Sequence, residues 1–152
     1  MVATIALFFS VVVFNNMTDY DSNWRFVQHV LSMDTTRQDP DTIWRAITNP
    51  TLQHLAYLII IAWEFMTAIL CWIGCVLMFR KIKASANIFH RAKTLAYLGL
   101  FAAFILYMVG FIIVGSEWFN MWQSTAWNSQ MKAGMFIGLI MFVMLFLSTS
   151  DN

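Results

Sequence analysis

The sequence predicts an all-α integral membrane protein: a four-transmembrane-helix bundle with a helical extramembrane cap after the first helix. Its 152 residues are 60% apolar and only 11% charged, whereas soluble domains are about half apolar and about a quarter charged. The excess is concentrated in four apolar runs, residues 1–14, 55–79, 94–114 and 133–147. A cluster of basic residues separates the second run from the third. Lipid is therefore the expected solvent for most of the chain.

The lengths of the runs set the predicted spans. A helix needs about 20 residues, at a rise of about 1.5 Å each, to cross a bilayer. The second and third runs reach that length unaided, and the first and fourth reach it with the neutral flanks 15–18 and 148–150. We expect a single membrane domain over 1–152, divided into TM1 about 1–18, an outer cap 19–53, TM2 about 54–79, an inner loop 80–93, TM3 about 94–115, an outer loop 116–131 and TM4 about 132–150.

The basic cluster orients the predicted bundle. Five of the nine basic residues fall in the loop between the second and third runs, which holds no acidic residue: Arg80, Lys81, Lys83, Arg91 and Lys93. The positive-inside rule places such a loop in the cytoplasm. Both termini are then cytoplasmic, and the segments 15–54 and 116–132 lie outside.

The first outer segment predicts two short helices. Apolar residues recur at three- and four-residue spacings from Trp24 to Met33, behind Asp21 or Ser22 as a possible cap of a helix starting near Asn23. That amphipathic helix suits either the membrane surface or a position folded over the bundle. A second helix is expected over 43–48.

Aromatic side chains are concentrated in the two outer segments. Tryptophans often anchor a protein at the membrane interface, which is the favoured interpretation here. The alternative is a docking face for another protein. Its candidate residues are Trp24, Phe26, Val27, Trp44, Trp118, Trp122 and Trp127.

Glu64 is the most informative polar residue, because it lies near the middle of the second span, where an unpaired carboxylate is unfavourable. It must face inward, be protonated or pair with another group. Thr67, one turn away, could donate a hydrogen bond, and the tyrosines at positions 57, 97 and 107 are candidate partners. Two interpretations stay open: a proton or cation site, and a hydrogen-bonded residue that fixes helix packing, which is favoured.

Other motifs carry weaker signals. His29 and His54 are weak candidates for haem ligation, and no metal site is expected. Gly134 and Gly138 form a small-xxx-small motif on the fourth span, which predicts close helix packing, with Gly110 and Gly115 on the third span as a matching face. Cys71 and Cys75 lie one helical turn apart, too rigidly held to form a disulfide.

One segment resembles a known family. The pattern N-x-T-D-Y, over 16–20, followed by F-V-x-H-V-L-x-M-D-T, over 26–35, resembles a bacterial family of predicted small integral membrane proteins of unknown function. Residues 44–47, Glu64 and 71–74 look like later parts of the same pattern. The resemblance covers nearly the whole chain and implies four helices in a bacterial inner membrane. It brings no activity and no site residue.

These observations favour a non-catalytic role. The chain shows no nucleophile–base arrangement and no phosphate-binding loop, and topology explains its basic cluster without nucleic acid. We expect an accessory or structural subunit, bound laterally to a larger respiratory or photosynthetic type of membrane complex and in contact with membrane lipids. The alternatives are a small proton- or ion-coupled transporter or channel component centred on Glu64, and a haem or quinone binder. No cofactor is predicted, although a bound lipid or quinone is compatible with the sequence.

Overall fold

The computed structural model describes residues 1–149, and all regular structure in that part of the chain is helical. This confirms the predicted all-α class. The elements are α1 (Val2–Thr18), α2 (Tyr20–Ser32), α3 (Pro50–Arg80), α4 (Ala86–Ala92), α5 (Thr94–Ile105) with a π-helical continuation (Leu106–Trp118), and α6 (Gln130–Ser148). Single 3₁₀ turns lie at Ile43–Arg45 and Met121–Gln123.

Three helical stretches are long and apolar enough to cross a membrane: Pro50–Arg80, Ala86–Trp118 and Gln130–Ser148. A fourth candidate joins α1 to α2, which are bent by 92° relative to each other at Asp19, as in a broken span or a re-entrant segment. The expected integral membrane protein is thus confirmed with three or four spans. The end predicted for the fourth span, residue 150, lies outside the described residues.

Local signals explain where the elements begin and end. Asn49 caps α3 by accepting hydrogen bonds from the backbone N–H groups of Thr51 and Leu52, with Pro50 in the first turn. The α2 helix begins at Tyr20 rather than near Asn23, and neither Asp21 nor Ser22 caps it. It continues almost directly from α1, because the Asp19 N–H still bonds to the Asn15 carbonyl.

The second predicted cap helix is only a 3₁₀ turn, Ile43–Arg45. The Ile47 N–H donates instead to the Leu31 carbonyl at 2.8 Å, and the Ile47 carbonyl accepts from Gln53 Nε2 at 2.6 Å. These bonds tie the end of the segment to α2 and α3, so a helix over 43–48 does not form.

The core is built on α3, which packs against α1 on one side and α5 on the other. A Cβ added to Gly74 would lie 2.3 Å from the Ala96 backbone nitrogen, and one added to Gly99 would lie 2.6 Å from Cys71 Sγ. The backbones of α3 and α5 therefore approach each other at two glycines. At Gly134 and Gly138, by contrast, an added Cβ would have nothing within 4 Å, so the packing predicted from that motif is not made within the described chain.

The basic segment is more ordered than a plain loop, because α4 lies inside it. Four of its bases are exposed, as expected, but Lys93 is 2% exposed. Its ammonium donates to the Leu147 carbonyl at 2.9 Å, at the end of α6. Lys93 thus stabilises the carboxyl end of a neighbouring helix as well as contributing to the basic cluster.

Candidate functional site: a polar chamber around Glu64

A cavity of about 470 Å³ lies among α1, α2, α3, the π-helical segment and the start of α6. We call it the polar chamber and define it by six of its lining residues: Asn16, Asn23, Tyr57, Glu64, Tyr107 and Lys132. Membrane-protein sites of this kind collect polar side chains that lipid would not solvate. The polar chamber is therefore the candidate ligand-binding site of the protein.

Glu64 is 5% exposed and is held by a chain of two asparagines. Asn16 Nδ2, on α1, donates to Glu64 Oε2 at 2.7 Å, and Asn23 Nδ2, on α2, donates to Asn16 Oδ1 at 2.7 Å. This second bond orients the Asn16 amide so that its nitrogen faces the carboxylate. Three helices thus meet at one buried acid.

The hydrogen bond to Glu64 comes from Asn16, which is not among the partners predicted from the sequence. Thr67 donates to the Trp63 carbonyl, at 2.8 Å, which is the ordinary bond of a threonine inside a helix. Tyr57 and Tyr107 line the chamber without a hydrogen bond to the acid in the described residues. Asn16 was not predicted as a partner, because residues 15–18 were interpreted as a neutral flank of the first span. The signal that could have identified it is an amide side chain at the end of an apolar run.

Tyr57 is the second unusual group of the chamber. It is 1% exposed, and its hydroxyl has no hydrogen-bond partner among the described residues. Its ring packs edge-on against Tyr20, with the centroids 4.7 Å apart. A buried hydroxyl that is left unbonded lowers stability by about 1–3 kcal/mol, so a polar group bound in the chamber has a ready partner here.

The π-helical segment supplies two aromatic residues to the walls of the chamber, Tyr107 and Phe111. The Phe119 N–H bonds to the Val114 carbonyl, five residues back, at 3.0 Å, as a π-helix requires. The Tyr107 ring stacks on Phe136 of α6 with the centroids 5.0 Å apart, and Phe111 stacks on Phe26 at 6.0 Å. Such π-helical insertions often lie at functional sites, and nothing in a uniformly apolar run distinguishes them from α-helix.

The two histidines lie near the chamber but have separate partners. His54 stacks on Trp24 with the centroids 3.6 Å apart and its Nδ1 lies 2.9 Å from the Tyr20 hydroxyl. His29 stacks on Trp127 and lies 2.7 Å from an Asp34 oxygen. Nowhere in residues 1–149 do three His, Cys, Asp or Glu side chains meet as a metal site would require.

The residues predicted as a docking face divide into two groups. Trp24, Phe26, Val27 and Trp127 pack against the rest of the chain. Trp44, Trp118 and Trp122 stay exposed, by 68%, 47% and 45%.

Two of the exposed tryptophans share an arginine. The Arg45 guanidinium carbon lies 4.8 Å from the Trp118 ring centroid and 5.7 Å from that of Trp44, within the range of cation–π attraction. We call Trp44, Arg45 and Trp118 the aromatic patch. It holds two large rings in fixed positions at the chain surface.

The fold and the chamber define a class: a small helical integral membrane protein with a buried polar site. Over residues 1–150 the chain matches the family described as predicted small integral membrane protein (DUF2165), and it belongs to that family. The family's function is unknown. No curated protein and no solved structure matches the chain.

Proposed function

We propose that this protein is a non-catalytic, membrane-embedded binding protein in which Glu64 receives the hydrogen-bond-donating group of a small solute. The observation that carries the proposal is the position of Glu64 in the wall of a cavity of about 470 Å³, bonded through one oxygen to Asn16. A carboxylate accepts several hydrogen bonds. Among the described side chains, only Asn16 bonds to it.

The single hydrogen bond of Glu64 also argues against a role that is only structural. An acid kept only to fix helix packing is most stabilising when its oxygens are fully bonded by neighbouring helices. Here the second oxygen is left for another group, and the Tyr57 hydroxyl is unbonded in the same cavity. Proton- or ion-coupled transport would use the same carboxylate and is one form that the binding function could take.

The proposal includes an orientation. In it α1 crosses the membrane as the fourth span and α2 lies along the far surface as a cap. The exposed bases Arg80, Lys81, Lys83 and Arg91 face the cytoplasm of a bacterial cell, in its inner membrane, with both termini on that side. The polar chamber then opens towards the opposite face.

The test uses butylamine, a small primary amine, as the probe. We expect it to bind the purified protein in detergent, as measured by titration calorimetry, and we expect Glu64→Gln to weaken binding at least about tenfold, because a charge-assisted hydrogen bond is replaced by a neutral one.

Glu117→Gln is the matched control. It makes the same chemical change at an exposed carboxylate outside the chamber, and we expect it to leave butylamine binding unchanged. Wild-type protein that does not bind butylamine, or equal losses in the two variants, would contradict the proposal.

A second role is favoured by a separate observation, the aromatic patch. Trp and Arg are among the residues most enriched at the energetically dominant centres of protein interfaces, and Trp44 and Trp118 are exposed here with Arg45 close to both rings. We propose that the patch docks the protein on a larger membrane complex, as expected of an accessory subunit. Solute binding and docking use different surfaces and are compatible.

A further inference from the structure

A second cavity lies next to the polar chamber and shares two lining residues with it. It has a volume of about 390 Å³ and lies between α1 and α6. We call it the apolar groove and define it by Ile5, Phe8, Phe136, Leu139, Ile140 and Val143. These six side chains are hydrocarbon and Thr4 is the one polar side chain in the rest of the lining, so the groove suits an alkyl chain.

The chamber and the groove meet at two phenylalanines. Phe8 and Phe136 line both cavities, and their ring centroids lie 4.9 Å apart. In the described residues, the backbone of α1 packs closely on α3, whereas α1 and α6 meet mainly through side chains such as these two rings. The two cavities thus lie side by side along the α1–α6 junction, polar at the Glu64 end and apolar at the other, with the Phe8 and Phe136 rings between them.

The charges of the chamber suggest how a ligand enters. Lys132 is exposed and lines the chamber at the start of α6, whereas Glu64 is buried. The Lys132 ammonium disfavours a cation that approaches Glu64 along the start of α6. A ligand that enters from lipid between α1 and α6, on the side of Phe8 and Phe136, approaches Glu64 farther from this charge.

We propose that the site binds a single-chain amphiphile from the membrane, with a primary amine head at Glu64 and its alkyl chain in the apolar groove. This deepens the proposed function, on which it rests. The head would donate to the free oxygen of Glu64 and to the Tyr57 hydroxyl oxygen. The aromatic walls, including Tyr107 and Phe111, also favour a cation. Eight additional methylene groups in the groove would add hydrophobic binding energy that a short amine lacks.

The experiment compares dodecylamine with butylamine by titration calorimetry in one non-ionic detergent, with dodecylamine corrected for its partition into empty micelles. We expect wild-type protein to bind dodecylamine at least about tenfold more tightly, since even partial burial of the longer chain suffices for this. Glu64→Gln should weaken both amines.

Two tryptophan variants test the groove. Leu139 lines it and is 56% exposed, so Leu139→Trp can fill it without disturbing the core. We expect this variant to lose the preference for dodecylamine while binding butylamine normally. Leu145→Trp adds the same bulk at a residue that is 63% exposed and outside the described cavities, and should change neither affinity.

The outcomes separate the two proposals. If butylamine binds through Glu64 but dodecylamine binds no more tightly, or if Leu139→Trp has no effect, the amphiphile is wrong and the solute-binding function stands. If neither amine binds wild-type protein, both proposals are overturned.

Discussion

The hydrogen bond from Asn16 to Glu64 is the main polar contact between α1 and α3 at the polar chamber. It joins α1 to α3 inside the apolar part of the molecule, with Asn23 of α2 behind it. Removing one partner of a buried hydrogen bond leaves the other buried without a hydrogen bond, which lowers the stability of the fold. For a buried acid that loss is larger than for a neutral group.

We therefore expect Asn16→Ala to lower the free energy of unfolding by about 1–3 kcal/mol, measured by denaturation with SDS in mixed micelles. Asn15→Ala is the control, because Asn15 is the same residue type on the same turn but is exposed. It should change stability by less than about 0.5 kcal/mol. Equal effects at the two positions would show that the Glu64 bond is not what stabilises this junction.

At this scale the sequence predicts which acid matters but not what it contacts. Glu64 stands out because its neighbours along the chain are apolar, a property of one segment. Its bond to Asn16 spans 48 positions and exists only once α1 and α3 pack together. The same holds for Trp24 and Trp127. Their stacking on His54 and His29 depends on how the segments that connect the spans fold.

The contact between α3 and α5 depends on Gly74 and Gly99, which belong to no small-xxx-small packing motif identified in the sequence. A Cβ at Gly74 would lie 2.3 Å from one backbone atom of Ala96 and 2.6 Å from another, and backbone cannot move aside as a flexible side chain can. Small residues allow such close approach, and with it the packing that holds membrane helices together.

We expect Gly74→Ala to separate α3 from α5 and to destabilise the protein by about 1–3 kcal/mol, the usual effect of overpacking, in the same SDS titration. Gly138→Ala tests the same change where an added methyl meets nothing within 4 Å. It should be neutral or stabilise by up to about 1 kcal/mol, because alanine favours helix over glycine. A loss at Gly138 as large as at Gly74 would mean that α6 makes a close contact there with another chain.

The sequence thus predicts which segments form helices, but it does not predict which helices pack against each other. The apolar runs at 55–79 and 133–147 both form helices, Pro50–Arg80 and Gln130–Ser148. Each helix starts several residues before its run and ends one residue after it. The Gly134–Gly138 motif was the stronger sequence signal, yet isolated Gly74 and Gly99 make the contacts, because spacing describes one helix surface and not the surface it meets.

The whole molecule presents two different surfaces. Its spans are covered with exposed apolar side chains, as lipid requires. The aromatic patch instead joins Trp44 and Arg45, in the segment between α2 and α3, to Trp118 at the end of the π-helical segment. Apolar surface in a membrane protein says little about partners, since lipid covers it equally well. The patch is the more informative surface.

If the patch docks on a larger complex, wild-type protein extracted in mild detergent should migrate with that complex on a native gel, and the double variant Trp44→Ala/Trp118→Ala should be released from it. Phe79→Ala removes a ring that is 75% exposed at the opposite end of α3 and should leave the complex intact. Wild-type protein that runs alone as a monomer would contradict the docking role.

The unequal lengths of α1 and α3 have a consequence for the surrounding bilayer. The 17 residues of α1 extend about 25 Å, and the 31 residues of α3 about 46 Å, at about 1.5 Å per residue, against a hydrocarbon thickness of about 30 Å. If α1 crosses as proposed, hydrophobic mismatch thins the bilayer beside it and tilts α3 on the other flank. The lipids nearest the α1–α6 junction would then be the most distorted in the annulus, and a thin membrane would accommodate the protein with the least deformation.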